Sequence, residues 1–540
     1  MKKTAASIRV IMELDSIQAW YFFYVLSIIF IAVGHFTPSL IGNESVYLIP
    51  AKRWLSPEFL VADWTVGGTA TIGLSYLYSM FLAAFWSLSS DPIFVALSSR
   101  LVLWCGVVFS IFHFSRTNKI PPFFVFVGIV QLTYCFQSLM AHEWIIGGSE
   151  QKNIAYMCAI LSLSFSLKKR FLLAGIFSGI ALNGHILVGG YTTLAHTFLV
   201  LALYNQNGRP LKMLVQYGAP VAIFSLPILF VALNFLGTGQ ADYTPVNAVD
   251  PNEFLVLFRG PHHLDPFSFF YPLKMVGTVF VVVTLTFVLV KDQQNTNAKS
   301  ILVYLLPLFV LCIAGVFARM GEFYVLLKFY PFRVGDSMVP LFFFLFVPYF
   351  LYRFANNFVS RYQKIALYFW CFVMFGLVPL IVVTNFSNQG RMNYQAWQGQ
   401  DTQQDVQTDE LSREEFVRWV EEHSANNDIF LASPFWFDFW LEVGRPMVIN
   451  FKSCPVNRFH GWYDRIVAVN KGHHFTSRGF NIEDEIVANF QTLTATDLVR
   501  IRNEYSASYY VVELERAELG DALVFSNDDY YVYDLIVLGG

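Results

Sequence analysis

The sequence predicts an α-helical polytopic membrane protein, with about 11 transmembrane helices plus interfacial helices and a small C-terminal α/β domain outside the membrane. Three observations carry that expectation. The 540 residues are 55% hydrophobic, 18% aromatic and only 14% charged, including 56 Phe; a soluble fold needs no such apolar surplus, whereas repeated spans of about 20 apolar residues do. Long apolar runs are separated by short connectors whose basic residues fall on alternate connectors. After residue 386 the composition changes to that of an ordinary soluble chain. The net charge of −3 gives nucleic acid no electrostatic reason to bind.

Taken in order, the apolar runs place spans at 20–36, 92–114, 120–140, 153–167, 171–185, 186–204, 213–236, 272–290, 300–318, 338–352 and 365–385. The segment 69–88 decides the parity. It is interrupted by Gly, Ser and Tyr and carries Trp86, which suits a helix lying in the interface. If it does not cross, Arg116/Lys119, Lys168–Arg170, Arg209/Lys212, Lys291/Lys299 and Arg353/Arg361/Lys364 all share the side of Lys2, Lys3 and Arg9. The positive-inside rule then places the N-terminus inside, in the cytoplasm, and the C-terminal domain outside the cell membrane. The polar lead before residue 20 lacks a small-residue cleavage site and reads as retained rather than cleaved.

The organisation expected is a transmembrane domain over 1–386, a Gln-, Asn- and Asp-rich linker over 387–410, and an extracytoplasmic α/β domain over 411–540. Within the tail, Ser412 and Glu415 have the spacing of a capping box that opens a helix to about His423. Residues 429–432, 447–449, 509–512 and 531–533 read as strands, and 496–505 as a helix. Six scattered cysteines do not form a disulfide framework.

With this parity the polar, chemically able residues gather in connectors on one side. Glu44 follows the first span, and Asp63 lies in the same connector; either carboxylate could serve as a general base, and either could be an ordinary loop acid. Arg100 sits inside the second span, where an ionisable group is costly unless paired or snorkelling. His142 and Glu143 stand at the end of the third span, and His185 closes the fifth. The stretch Arg259–Pro266 places Arg259, His262, His263 and Asp265 in one loop. Adjacent histidines suit zinc poorly; a phosphate site served by the Arg259 fork and a rigid structural loop both remain open. Arg333 precedes the tenth span in Tyr330–Asp336, and Arg445 follows an aromatic run in the tail whose rings could line a sugar site or pack against other protein surface. No metal-ligand pattern or cofactor motif is evident, so a divalent metal has no support in the sequence.

Several of these stretches together resemble the GT-C superfamily of integral-membrane glycosyltransferases, which use polyprenyl-phosphate-linked sugars. The resemblance runs through Gly42-Asn43-Glu44-Ser45-Val46-Tyr47, where the family often reads Gly-x-Asp-Glu-x-x-Tyr. It continues through Glu150–Tyr156, Asn183-Gly184-His185, Arg259–Leu264 and Pro331-Phe332-Arg333, which are similar to uncharacterised bacterial members. In the tail, Asp428–Pro434 and Arg445 distantly resemble oligosaccharyltransferase-like outer domains. The resemblance implies a GT-C-like fold and a glycosyltransferase working on a membrane-lipid-borne, polyprenyl-phosphate-linked sugar donor, with a glycan, lipid or protein acceptor. It implies that Glu44 or Asp63 acts on the acceptor. Arg100, His142, Glu143, His185, Arg259, His262, His263, Arg333 and Arg445 are the candidates for substrate and phosphate. Position 43 departs from the pattern, because Asn cannot take a proton. Glu44 or Asp63 must then carry the acidic role, or the chain is a non-catalytic GT-C-fold scaffold or a lipid-linked glycan transporter.

Overall fold

A computed structural model describes residues 14–67, 73–205, 210–237, 249–269, 272–292, 295–354, 378–397 and 405–538. The chain forms two compact units, neither continuous in sequence. The first comprises 1–38, 97–229 and 262–394; the second comprises 39–96, 230–261 and 395–540. This differs from the sequential division expected at residue 386: two long polar connectors fold with the tail into one unit.

The first unit is helical. Its long elements are α1 (Ile17–His35), the helix α2 (Pro92–Thr117) that enters it at residue 97, α3 (Pro122–Tyr134), α4 (Gln151–Leu167), α5 (Phe171–Gly184), α6 (Ile186–Asn205), α7 (Pro210–Gly237), α8 (Pro272–Lys291), α9 (Ala298–Met320), α10 (Arg333–Phe354) and α11 (Val378–Trp397). Seven helices among the described residues are long and apolar enough to cross a membrane: α1, α2, α6, α7, α8, α9 and α10. The runs expected as spans at 120–140, 153–167 and 171–185 form the shorter helices α3 (13 residues), α4 (17 residues) and α5 (14 residues). Of the eleventh expected span, residues 365–377 lie outside the described residues, and α11 covers the remainder.

Helix α10 is the axis of this unit. It is apolar on all sides, and 94% of its most apolar window is buried, which is how a helix at the centre of a bundle reads. Phe342, Phe344 and Phe346 pack into one core with Phe114 and Phe124. Close approach of α5 and α7 depends on Gly175-x-x-x-Gly179: a Cβ at Gly175 would lie 2.2 Å from Tyr217 O. At Pro227 the α7 ladder is interrupted, and Asn183 repairs it. The Asn183 Oδ1 accepts from Ile228 N at 3.1 Å while its Nδ2 donates to Phe224 O. This is the usual way a proline is tolerated inside a membrane helix.

The polar stretch expected as a linker is helical through Trp397 in α11. Polar residues in and just before it have partners: Asn393 Nδ2 donates to Val33 O at 2.7 Å, and Asn385 Nδ2, two residues before the stretch, donates to Tyr134 O at 2.6 Å. Composition suggested a linker because those partners are distant in sequence.

In the second unit, α12 (Glu44–Leu55) and α13 (Tyr76–Trp86) are followed in the chain by α14 (Asp405–His423), α15 (Phe459–Val469), α16 (Ile482–Phe490) and α17 (Ala495–Tyr505). With only 11 residues, α13 rises about 16 Å, roughly half a hydrocarbon core. Helix α14 begins at Asp405, so Ser412 lies inside it and the expected capping box is not formed. The strands β1 (Ile429–Leu431), β2 (Ala507–Val512), β3 (Leu523–Ser526) and β4 (Tyr531–Asp534) form one sheet in the order β1-β2-β4-β3. β1 runs parallel to β2, and the other two pairings are antiparallel. The expected strand at 447–449 contributes only a bridge, Met447 to Phe430. Trp462, Tyr510 and Tyr533 fill the core beneath the sheet.

Candidate functional site

In the first unit the chain leaves α3 at Cys135 and runs without regular structure to Glu150, yet most of this segment is buried. Irregular backbone can be buried only if its amides and carbonyls are satisfied. Three side chains do this. Gln137 accepts from Ile145 N and Ile146 N and donates to Ile146 O. Asn153 donates to Ile145 O and accepts from Glu150 N, each at 2.8 Å. Asp336, in the first turn of α10, accepts from Met140 N (2.6 Å), Ala141 N (3.0 Å) and Glu143 N (3.2 Å) and from the Ser138 hydroxyl. The Trp104 indole adds a bond to Gly147 O at 2.7 Å.

That scaffold presents Glu143. Its Oε2 accepts from Arg333 Nε at 2.8 Å, and its Oε1 lies 2.7 Å from Lys152 Nζ; Lys152 also reaches Glu150 Oε2 at 3.1 Å. Burial alone would raise the Glu143 carboxyl, but Arg333, Lys152 and His263 outweigh it and hold it down to about 2. Arg333 also contacts His185 Nε2 through Nη1 at 3.2 Å and stacks over the Tyr330 ring at 4.0 Å. Its side chain keeps 13% exposure while Glu143 keeps 2%. Tyr156 backs the cluster, bonded to the Ser337 hydroxyl at 2.6 Å.

The histidines border this cluster. His263 Nδ1 donates to Ala141 O at 2.6 Å, which leaves Nε2 as the acceptor of a neutral ring. Burial lowers its pKa to about 4, against the opposing pull of Glu143. The His262 ring lies 4.2 Å from that of His263 and 6.2 Å from that of His142. His142, at a left-handed φ of 53°, approaches Lys274 Nζ at 3.4 Å. Burial, and then Lys274, lower its pKa. Asp265 pairs with Arg319 at 2.9 Å. Among the described residues, no three His, Cys, Asp or Glu side chains converge as a metal site would require.

Beside the cluster, an apolar groove of about 460 Å³ runs along α6 and α9, lined by Ile186, Tyr191, Leu311, Gly315, Phe329 and Pro331. Its two ends in sequence terms are neighbours of the polar residues, Ile186 following His185 and Pro331 preceding Arg333 by two positions. Gly315 in the groove wall allows α9 to pack closely on the Pro331–Phe332 turn: a Cβ there would lie 2.8 Å from Pro331 Cγ and 2.7 Å from Phe332 Cζ.

The second unit holds the two expected acids. Glu44 opens α12 and is 1% exposed; its Oε2 accepts from Ile41 N at 2.8 Å. A carboxylate in a first helical turn is favoured by the helix dipole. Next to it, a polar cleft of about 500 Å³ is lined by Gly42, Ser45, Trp436, Phe437, Asp438 and Lys452, among others. Asp63 is differently placed. Its Oδ1 accepts from Thr65 N (2.8 Å) and Val66 N (2.9 Å), and its Oδ2 accepts from Trp440 Nε1 (2.8 Å) and Met447 N (2.9 Å). Burial raises its pKa against those four bonds. This is the geometry of a brace between loop and tail, with no solvent-facing lone pair for the base role considered above.

Three expected phosphate ligands are likewise engaged with backbone. Arg100, fully buried, donates to Thr37 O at 2.9 Å and to His35 O, the last carbonyl of α1, at 3.4 Å. Arg445 donates to Ser424 O (3.1 Å) and the Ser424 hydroxyl (3.0 Å), closing the end of α14. Arg259 donates to Lys452 O at 2.6 Å. The loop Arg259–Pro266 is also divided: Arg259 belongs to the second unit, His262, His263 and Asp265 to the first. Glu143, His185, His263 and Arg333 do come together. Lys152, Tyr330 and Asp336 complete that cluster without having been singled out as ligands; the signal available was Asp336, an acid in the first turn of an otherwise apolar span.

Residues 412–469 match a family described as a domain of unknown function, DUF6798. No curated protein matches the sequence at a significant level. Among solved structures, the chain is similar to the apo oligosaccharyltransferase of Archaeoglobus fulgidus, with a TM-score of 0.50 and 11% identity over 92% of this chain and 69% of that one. The same organism's AglB in complex with an inhibitory peptide and a dolichol-phosphate gives 0.47 and 12%, covering 91% and 69%. ArnT from Cupriavidus metallidurans bound to undecaprenyl phosphate gives 0.45 and 11%, covering 97% and 100%. Identities this low speak to fold alone. The chain is a multi-pass membrane protein with a GT-C-like fold.

Proposed function

We propose that the protein is a glycosyltransferase that takes a sugar from a polyprenyl-phosphate-linked donor at the outer face of a bacterial inner membrane. The observation that carries this reading is the apolar groove of α6 and α9, which borders Pro331 and so adjoins Arg333 in chain position. An isoprenoid chain suits such a groove, and a phosphate suits the guanidinium fork. The GT-C-like fold agrees with the chemistry. The basic connectors support a cytoplasmic N-terminus and a periplasmic tail.

In the step envisaged, an acceptor hydroxyl attacks the anomeric carbon of the donor sugar. The bond from that carbon to the phosphate oxygen breaks, and its electron pair leaves on the lipid phosphate. Arg333 stabilises the departing charge, the point at which a fixed cation gains most. Glu143 and Tyr330 orient Arg333, and neutral His185 and His263 border it. A base must take the proton of the acceptor hydroxyl; Glu44 is the candidate the sequence offers, and the cleft in its own unit, with its rings, Asp438 and Lys452, is a candidate acceptor-binding surface. Asp63, Arg100, Arg259 and Arg445 act as structural braces in this reading.

The test is transfer from labelled polyprenyl-phosphate sugars in membranes by wild type, Glu44→Gln and Arg333→Gln. Loss of transfer in both variants, with donor binding lost only in Arg333→Gln, is the expected result. Binding of the donor lipid without transfer to any acceptor by the wild type would instead select the scaffold reading, which Asn43 favours. A wild type that neither binds nor transfers would refute both.

A further inference from the structure

The end of α10 remote from Arg333 carries a second cationic site that the transferase reading does not use. Arg353 lies twenty residues beyond Arg333 on this helix, about 30 Å along its axis, which is the thickness of a hydrocarbon core. A cavity of about 540 Å³ opens there, lined by Trp20, Arg116, Lys119, Tyr349, Tyr352 and Arg353, with Asp15 at its edge. Every element that builds it belongs to the first unit: the starts of α1 and α3 and the ends of α2 and α10.

The three cations differ in how they are held. Arg353 is fixed by buried Asp292, through Nη2 to Oδ1 at 2.8 Å and Nη1 to Oδ2 at 3.3 Å, and lies over Tyr349 at 5.1 Å. Arg116 and Lys119 are exposed, and among the described residues neither forms an ion pair. Arg116 closes α2 with its guanidinium 6.0 Å from the Trp20 ring. Lys119 is set in the tight turn before α3 at a left-handed φ of 57°. The lining carboxylate, Asp15, is engaged by Trp20 Nε1 at 2.6 Å. Tyr349 and Tyr352 are themselves backed by Phe124, at 5.4 and 5.1 Å, so the aromatic wall is rigid.

Two exposed cations without an ion pair among the described residues, in a cavity walled by Trp and Tyr at the ends of apolar helices, are matched to one chemistry. Amphipathic rings settle at the head-group level, and basic pockets between spans hold anionic head-groups. We propose that this cavity binds the phosphate head-group of a lipid in the leaflet opposite Arg333. The phosphodiester of an anionic phospholipid and the monoester of a polyprenyl phosphate both present that group. The site needs no transferase activity to exist.

The full chain is placed in phosphatidylcholine nanodiscs containing either phosphatidylglycerol or undecaprenyl phosphate, and bound lipid is counted by native mass spectrometry. Each basic residue near the surface is worth roughly fivefold in affinity, so Arg116→Gln with Lys119→Gln is expected to weaken retention about thirtyfold. Lys169→Gln, which removes an exposed lysine outside the cavity lining, is expected to leave it unchanged. The unfolding midpoint of the double variant should match wild type, since both side chains are exposed. Retention of phosphatidylglycerol alone assigns the site to a phospholipid, of undecaprenyl phosphate alone to an isoprenoid, and of both to the phosphate itself. Retention of neither, or an equal loss from Lys169→Gln, overturns the proposal.

Discussion

Replacing Glu143 by glutamine keeps the shape of the side chain and removes the charge that Arg333 and Lys152 share. In the folded protein that carboxyl is held at about 2, from an ordinary 4.5; the difference corresponds to about 3 kcal/mol of stability at neutral pH. A second route gives the same scale, since removing one partner of a buried ion pair costs about 3–5 kcal/mol. The sign follows from the depressed pKa: the stabilisation is complete above about 4.5 and is lost as pH falls towards 2. Unfolding of the purified protein in detergent, followed at pH 7.5 and then in steps down to pH 3, reads both features. Glu143→Gln should unfold about 3 kcal/mol more easily at pH 7.5 and lose less stability than wild type below pH 4.5. Because the segment it anchors supports Arg333, retention of donor lipid should fall as well. A variant within about 0.5 kcal/mol of wild type, with an unaltered acid limb, would refute the ionic account of this cluster.

Other expectations concern separate parts of the chain. His263 is held neutral, at about 4 from 6.5, so wild type should already lose stability as pH falls from 6.5 to 4, where the unfolded ring takes a proton and the folded one does not; His263→Gln should flatten that limb in the same unfolding assay. Asp63→Asn turns one accepting oxygen into a donor facing either two backbone amides or Met447 N and the Trp440 indole. It should destabilise the second unit by about 2–3 kcal/mol, seen as earlier proteolysis of the tail, whereas Glu44→Gln should abolish transfer without that effect. Gly315→Ala places a methyl 2.7 Å from Phe332, an overpacking cost of about 1–3 kcal/mol within the first unit, and should weaken donor binding while leaving the proteolysis of the tail unchanged.

Composition and the periodic placement of apolar runs sufficed for a helical membrane protein, because crossing about 30 Å of hydrocarbon demands length and apolarity that few other needs impose. The short helix ending at Trp86, the helix at 495–505 and the strands at 429–431, 507–512 and 531–534 were legible for a related reason: caps, breakers and two- or three-fold periodicity are local signals. That 387–397 is helical was not legible, because Asn393 looks like a loop residue until its carbonyl partner, Val33, is known.

The site divides along the same line. That Glu143, Arg333 and the histidines were costly residues at the ends of apolar runs could be read directly, since burying charge near a membrane requires a reason. Which of them meet could not. Arg333 and Glu143 are 190 residues apart, and Asp63 finds Met447 across 384. Arg100, Arg259 and Arg445 carry the same guanidinium as Arg333 and spend it on backbone carbonyls. The sequence by itself determined the class of the protein and the supply of polar groups within it. Only the tertiary structure decided which cation a buried carboxylate holds and which cations merely bind backbone carbonyls, because that choice depends on distances in space that no local pattern encodes.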